Sequence, residues 1–286
     1  MKEIFIPNED LLANHKAYNC SIVRSRNGYI LFYRREYDQG GCFTDIAASR
    51  LDQDFRVVPR SSWKLQIPRN SAGVNTLDDP RAFWFRNGIW IAHAQGILVN
   101  KENAWWWVST VTLAQCDANG RVIQTYRPNF GFNMNEAAGV KGFTASAGNE
   151  KNWSPFVYKN ELYFVYSINP QIVIKYEPTT NTVTRILDAP PIDLSFYVRG
   201  NFFGGGTPLL EHDGKYIGFF HTYQDDHPNR PNVRTYYSGC YVLKGEPPFT
   251  LEAISDTPIY RAEPHDLLDL RGPSAPPPDG TGGGDF

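Results

Sequence analysis

Methionine is nearly absent from this chain, with two in 286 residues, and histidine is sparse, with six. No apolar run approaches the roughly 18 residues of a membrane span, so no membrane partner is expected. The opening stretch from Met1 to His15 has no basic segment followed by an apolar one, so no secretion signal is expected either. The four cysteines, Cys20, Cys42, Cys116 and Cys240, are far apart and form no CxxC or Cys/His spacing. They read as reduced, mostly buried thiols, and no metal site is indicated. A formal net charge of −2 gives no reason to expect nucleic acid. Two glycosylation sequons, at Asn19 and Asn152, fall in segments that the reading below places beside the functional site. A glycan there would obstruct it, and a cytoplasmic location is the simpler expectation.

What the chain does have is aromatic residues, 14% of the total, gathered with Ile and Val into short runs. Helix-forming stretches of Ala, Leu, Glu and Lys are scarce, so the expected class is all-β. Four places share one pattern: a short apolar strand, a tight turn, then a stronger apolar strand. The turns are Arg26-Asn27-Gly28, Arg86-Asn87-Gly88, Lys159-Asn160-Glu161 and His212-Asp213-Gly214. Asn-Gly and Asp-Gly favour hairpins because both central positions of a type I′ turn need positive φ. More strand-like sequence follows each hairpin, giving about four antiparallel strands per unit, the anatomy of a propeller blade. Ile4-Phe5-Ile6 and the stretch Thr250 to Tyr260 remain at the two ends. Pairing of these termini would close a fifth blade and remove the sheet edges. The expectation is one five-bladed β-propeller over residues 1–272, followed by a disordered Pro/Gly-rich tail over 273–286.

In such a fold the start of each innermost strand and the end of each second strand open onto one axial face. Polar residues concentrate there. Strand starts carry Asn19 and Arg24; Asp78, Asp79 and Arg81; Lys151 and Asn152; Arg199, Asn201 and Gly204-Gly205-Gly206-Thr207. Second-strand ends carry Arg34 and Arg35, His93 and Gln95, Asn169, and His221, Tyr223 and Gln224. A funnel with two carboxylates, a lysine, arginines and histidines suits a polyhydroxylated ligand or an anion. Two adjacent carboxylates in a partly dry site do not both ionise easily, so one can serve as general acid. The sequence leaves open which of Asp78 and Asp79 does so, and whether Arg81 holds one of them ionised. The glycine run lacks the helix and Lys-Ser/Thr of a phosphate loop; close approach of backbone to a ligand explains it as well. In Trp105-Trp106-Trp107, packing between blades competes with stacking on a sugar ring.

The order of Asp78-Asp79-Pro80-Arg81, Glu150-Lys151-Asn152-Trp153-Ser154-Pro155-Phe156, Gly204-Gly205-Gly206-Thr207-Pro208 and Phe220-His221 resembles the β-mannoside phosphorylases. Related β-1,2-mannosidases and β-mannosyltransferases share the resemblance, which covers roughly residues 17 to 262. It implies a five-bladed propeller and inverting chemistry on β-mannosides. Asp79 would pass a proton through a sugar hydroxyl to the leaving oxygen. Lys151 and His221 would lie at a phosphate site, and Gly206, Thr207 and Pro208 beside the sugar. Arg24, Asp78, Arg81, Asn152 and Tyr223 complete the expected binding set. No cofactor is implied; inorganic phosphate and a sugar nucleotide are candidate co-substrates, with an oligosaccharide or sugar phosphate as substrate. The chain departs from the family in having Asp78 where a Glu is usual, and in lacking motif-matched phosphate arginines beyond Arg81. From the resemblance, a phosphorylase or transferase is the first expectation. The alternatives are an inverting hydrolase using Glu150 or Asp225 as base, and a non-catalytic carbohydrate-binding propeller. Five-bladed furanosidases rank lower, since they carry an early Asp where this chain has Asn19.

Overall fold

The computed structural model describes residues 16–36, 44–69, 75–101, 104–129, 151–194, 203–225 and 234–261. All regular structure in them is β. Blade 1 consists of β1 (Lys16–Ser25), β2 (Gly28–Glu36), β3 (Thr44–Leu51) and β4 (Trp63–Lys64), paired in that order. Blade 2 repeats the meander with β5 (Asn75–Phe85), β6 (Gly88–Lys101), β7 (Ala104–Cys116) and β8 (Val122–Tyr126). Blade 3 has β9 (Ser154–Tyr158), β10 (Glu161–Ser167), β11 (Ile172–Glu177) and β12 (Thr182–Asp188). In blade 4 the short β13 (Gly204–Gly205) and β14 (Leu210–His212) both pair with β15 (Lys215–Asp225). Strand β16 (Arg234–Lys244) then carries both β17 (Leu251–Ile254) and β18 (Tyr260–Arg261).

The hairpin at the start of each blade falls where the sequence predicts it, for two different reasons. In blades 3 and 4 both central residues, Lys159-Asn160 and Asp213-Gly214, have positive φ, as a type I′ turn requires. In blades 1 and 2 the turn residues are Arg26-Asn27 and Arg86-Asn87, and the glycine is the first residue of the next strand. A Cβ on Gly28 would lie 2.2 Å from the Leu51 carbonyl oxygen, and one on Gly88 2.7 Å from that of Cys116. Gly88 is required by the close approach of β7, and Gly28, at φ 135°, both by its backbone conformation and by the close approach of β3.

Blades stack through apolar faces. Val23, Ile30, Phe32 and Ile46 of blade 1 pack on Ile89 and Ile91 of blade 2. Phe83, Phe85 and Trp90 of blade 2 meet Trp153, Phe164 and Tyr176 of blade 3. Phe156 and Tyr163 of blade 3 meet Tyr216, Phe220, Tyr241 and Phe249 of blade 4. Around the axis the innermost strands are joined directly. Ala82 N donates to Ser21 Oγ, Trp84 Nε1 to the Arg24 carbonyl, and Leu209 N to the Pro155 carbonyl. Four blades and three interfaces are present among the described residues. The stretch Thr250 to Tyr260, expected in a fifth blade, lies instead in the fourth, where β17 and the start of β18 pair with β16. Ile4-Phe5-Ile6 and the Pro/Gly-rich tail lie outside the described residues, as do the side chains of Trp105, Trp106 and Trp107. Cys116 is buried as expected, whereas Cys20 is exposed.

Phe249 is the pin of the third interface. Fully buried, it puts its ring 5.0 Å from those of Phe156 and Tyr163 and 5.3 Å from that of Tyr158. Phe249→Ala removes edge-on contacts from two blades at once and is expected to cost about 3–5 kcal/mol of unfolding free energy. Urea unfolding, with the slope unchanged and the midpoint lowered, checks it.

Candidate active site

The first strand of blades 1 and 2 is broken at the same point. In β1 the register slips between Tyr18 and Ser21, and in β5 between Asp78 and Arg81. Asn19 and Asp79 therefore sit in bulges at φ 50° and 53°, and Asn152, just before β9, has φ 67°. Such a bulge turns a side chain out of the strand's alternation. Asn and Asp tolerate this backbone better than most residues. The three side chains are aimed at one end of the axis.

There they line a cavity of about 910 Å³. Asp79 Oδ1 accepts a hydrogen bond from Asn19 Nδ2 at 2.6 Å and lies 3.7 Å from Arg34 Nη1. The other carboxylate oxygen, Oδ2, makes no hydrogen bond or ion pair among the described residues. Asp78 is engaged differently. Its Oδ1 accepts from the Thr44 hydroxyl at 2.6 Å and is 3.0 Å from Arg34 Nε; its Oδ2 accepts from the Thr76 hydroxyl at 2.7 Å. Burial pushes the Asp78 carboxyl up from its ordinary range, while Arg34 and the two threonines pull the other way. Asp78 does not line the cavity, and Asp79 is the one carboxylate among its described lining residues.

Arg81 is buried at the floor. One Nη2 donates to Asn152 Oδ1 at 2.9 Å and to the Gly205 carbonyl at 2.5 Å; Nη1 donates to the Asp79 carbonyl at 3.1 Å. All three acceptors are neutral, so the guanidinium keeps its charge without a direct carboxylate partner, and burial pulls its pKa below the ordinary value. The glycine run accommodates this arrangement. A Cβ on Gly205 would lie 2.3 Å from the Asn152 carbonyl oxygen, and one on Gly204 2.7 Å from His221 Cε1. The close approach expected of these glycines is thus to neighbouring protein. Lys151, exposed, and His221, Gly206, Thr207, Tyr223 and Tyr236 complete the wall facing blades 1 and 2. Burial, reinforced by Arg81 and Lys151 and opposed by Asp79, pushes His221 down to about 4, so it is neutral at pH 7. The lining carries Arg34, Arg81 and Lys151 against Asp79 alone. Its surplus of positive charge favours an anionic group.

Of the expected site residues, the cavity brings together Asp79, Arg81, Lys151, Asn152, Gly206, Thr207, His221 and Tyr223, with Asp78 directly behind. Arg24 is not among them. Five residues beyond the β1 bulge, at about 3.3 Å each, carry it about 16 Å down the axis. It lines a second cavity, of about 500 Å³, with Ile22, Trp84, Val157 and Leu210. Arg81 and Thr207 border both cavities. Arg35 turns away from the axis to a fully buried Asp45, which it holds at 2.9 and 2.7 Å with Lys64 at 2.9 Å. These cations outweigh burial and keep Asp45 below its ordinary pKa. Asn169 braces the backbone of Ile192, and His93 and Gln95 are buried outside the cavity. Glu150, Arg199 and Asn201, and the side chains of Gln224 and Asp225, lie outside the described residues. Among the described residues no group of His, Cys, Asp or Glu is placed to hold a metal ion. Thr44 and Thr76 carry no signal in the sequence: Thr44 donates from another strand, and Thr76, two residues before Asp78 on the same strand, looks like any strand threonine.

No protein-family model matches the chain, and no curated protein does. Solved structures do. A glycosyl hydrolase from Bacteroides ovatus superposes with a TM-score of 0.58 at 12% identity, over 87% of this chain and 73% of its own. An α-L-arabinofuranosidase from Lactobacillus brevis gives 0.53 at 11% identity, over 88% and 77%. A β-1,2-mannobiose phosphorylase from Listeria innocua, solved with β-1,2-mannobiose, gives 0.52 at 11%, over 85% and 76%. The likeness is one of fold. The chain is a β-propeller of the kind these glycoside-acting proteins share.

His93 supplies a test of the burial argument. It is 1% exposed, its Nε2 has no partner, and burial pushes its pKa from 6.5 down to about 4. The folded protein keeps this imidazole neutral while the unfolded chain protonates it near pH 6.5, so unfolding takes up a proton between those values. Stability is expected to fall as pH drops through that window, by about 3 kcal/mol for this one group. Urea midpoints followed from pH 7 to about 4 check the slope, which is expected to flatten in His93→Gln.

Proposed function

We propose that this chain is an inverting glycoside-active enzyme, a phosphorylase or transferase moving a mannosyl-type unit, with Asp79 as its proton donor. The observation that carries the reading is the make-up of the cavity: one carboxyl group, Asp79, held on its own wall by Asn19 and Arg34, with Arg81, Lys151 and His221 on the floor and the opposite wall. A lone carboxyl group in a cavity that otherwise carries cations suits displacement of a leaving oxygen by an anionic nucleophile. Asp79 protonates the departing oxygen through a sugar hydroxyl, while phosphate or a sugar phosphate is held by Lys151 and Arg81. His221, neutral at working pH, donates or accepts a single hydrogen bond there without adding charge. Asn152 and Thr207 have groups suited to sugar hydroxyls, and Tyr223 and Tyr236 offer ring faces on the blade 4 side. A volume of about 910 Å³ accommodates more than one sugar ring.

The hydrolytic alternative asks for a second carboxylate with room for a water between it and the acid, about 6.5–9.5 Å away. The bases expected for it, Glu150 and Asp225, have side chains outside the described residues, and Asp78, both of whose oxygens are occupied behind Asp79, is not a further one. Incubation of the protein with β-mannobioses and aryl β-mannosides, with and without inorganic phosphate, separates the readings by NMR of the products. Sugar 1-phosphate formed only with phosphate is the expected result. Free sugar at the same rate in both identifies a hydrolase, and binding without turnover a carbohydrate-binding propeller. Asp79→Asn is expected to lower kcat by about 10²–10⁴-fold with the fold retained; full activity in that variant would refute the assignment.

A further inference from the structure

A guanidinium has five N–H donors, and in Arg81 three of them are committed. Nη2 serves Asn152 Oδ1 and the Gly205 carbonyl, and Nη1 serves the Asp79 carbonyl. One hydrogen remains on Nη1 and one on Nε. Arg81 Nε is buried and makes no hydrogen bond among the described residues. Two further buried atoms share that condition: Ser154 Oγ from blade 3 and the Tyr241 hydroxyl from blade 4. Both residues are enclosed, at 0% and 1% exposure, and neither lines the cavity.

The three groups meet around Gly205. Its carbonyl accepts from Arg81, and a Cβ on it would lie 2.4 Å from Ser154 Oγ. The Tyr241 ring crosses over Gly218, where a Cβ would lie 2.6 Å from the Tyr241 hydroxyl. That crossing brings the hydroxyl beside Ser154 and into the field of Arg81. Burial pushes the phenol well above its ordinary range, against the pull of Ser154 and Arg81, so it stays a neutral hydroxyl. Buried polar groups left unpaired are costly. One N–H donor and two hydroxyls, each able to donate or accept, are a set that a single buried water satisfies, since such waters make about three hydrogen bonds. We propose that Tyr241 and Ser154 are positioning residues for Arg81, holding one ordered water against its Nε. Three blades then fix the guanidinium from both sides, and its last Nη1 hydrogen is left for an anion in the cavity. Neither hydroxyl touches the ligand. The anion clause rests on the reading of Arg81 as part of an anion site; the water does not.

The test pairs crystallography with phosphate binding, on the parent protein, Tyr241→Phe and Ser154→Ala. A crystal structure that shows ordered waters is expected to place one within hydrogen-bond distance of Arg81 Nε, Ser154 Oγ and the Tyr241 hydroxyl. Tyr241→Phe, which removes only the hydroxyl, is expected to lose that water and turn the guanidinium away from Asn152 or Gly205. Calorimetric titration with inorganic phosphate is expected to give an affinity about 3–10-fold weaker in Tyr241→Phe. Ser154→Ala is expected to do the same, and the double variant no more than the larger single loss, because both act through one water. Ser154→Ala decides if Tyr241→Phe fails to fold. No water on the three atoms of the parent protein overturns the proposal. So does a variant that loses stability while Arg81 keeps its place and phosphate its affinity, the pattern of a merely structural hydroxyl. Failure of the parent protein to bind phosphate sinks the anion reading of the cavity instead, and the water and the placement of Arg81 then decide this proposal by themselves.

Discussion

The Arg81 guanidinium joins three blades at the point where the cavity floor meets the axis. It donates to the carbonyl of Asp79 in blade 2, to Asn152 at the start of blade 3 and to the carbonyl of Gly205 in blade 4. A buried guanidinium bound only to neutral acceptors is costly to desolvate, so its surroundings must be fixed closely. That requirement explains several features together. Asn152 adopts a positive φ, Gly204 and Gly205 have no room for a Cβ, and His221 lies against them and stays neutral. The charge placed there is the same one that makes the cavity favour an anion.

Blade 1 supplies the complementary grip. Where Arg81 holds the Asp79 backbone, Asn19 and Arg34 hold its carboxylate from the other side. The position of the Asp79 carboxylate thus depends on the contact between blades 1 and 2, which is built from Val23, Ile30, Phe32 and their partners in blade 2. A side chain carried on a bulge gains its aim from the strand and its steadiness from the neighbouring blade. The apolar interfaces therefore serve the site directly: a shift of one blade against the next would separate Asp79 from Asn19 before it unfolded anything.

Much of this was legible in the sequence because propeller blades repeat. The four hairpins, the placement of Asp79, Lys151 and His221 at one end of the axis, and the four-stranded blades follow from turn residues and alternating runs. Other features follow from distances that no spacing encodes. Arg24 shares a strand with Asn19, yet the rise per residue takes it to a different cavity. Arg34 and Arg35 are neighbours in sequence, but alternation sends one to Asp78 and Asp79 and the other to Asp45. The hydroxyls of Thr44 and Thr76 distinguish Asp78 from Asp79, although the two aspartates look interchangeable in the chain. The stretch from Thr250 to Tyr260 has the composition of a strand pair, and composition does not say which blade it joins.

The central claim is that Asp79 and the cations of Arg81, Lys151 and the nearby His221 act on one ligand across one cavity. A crystal of the Asp79→Asn protein grown with a β-mannoside and inorganic phosphate tests it most directly. The account predicts the glycosidic linkage on the Asn19 and residue 79 side, with phosphate bound by Arg81 and Lys151. Sugar bound at the far end of the axis, beside Trp84 and Arg24, or phosphate bound away from Lys151, would contradict it.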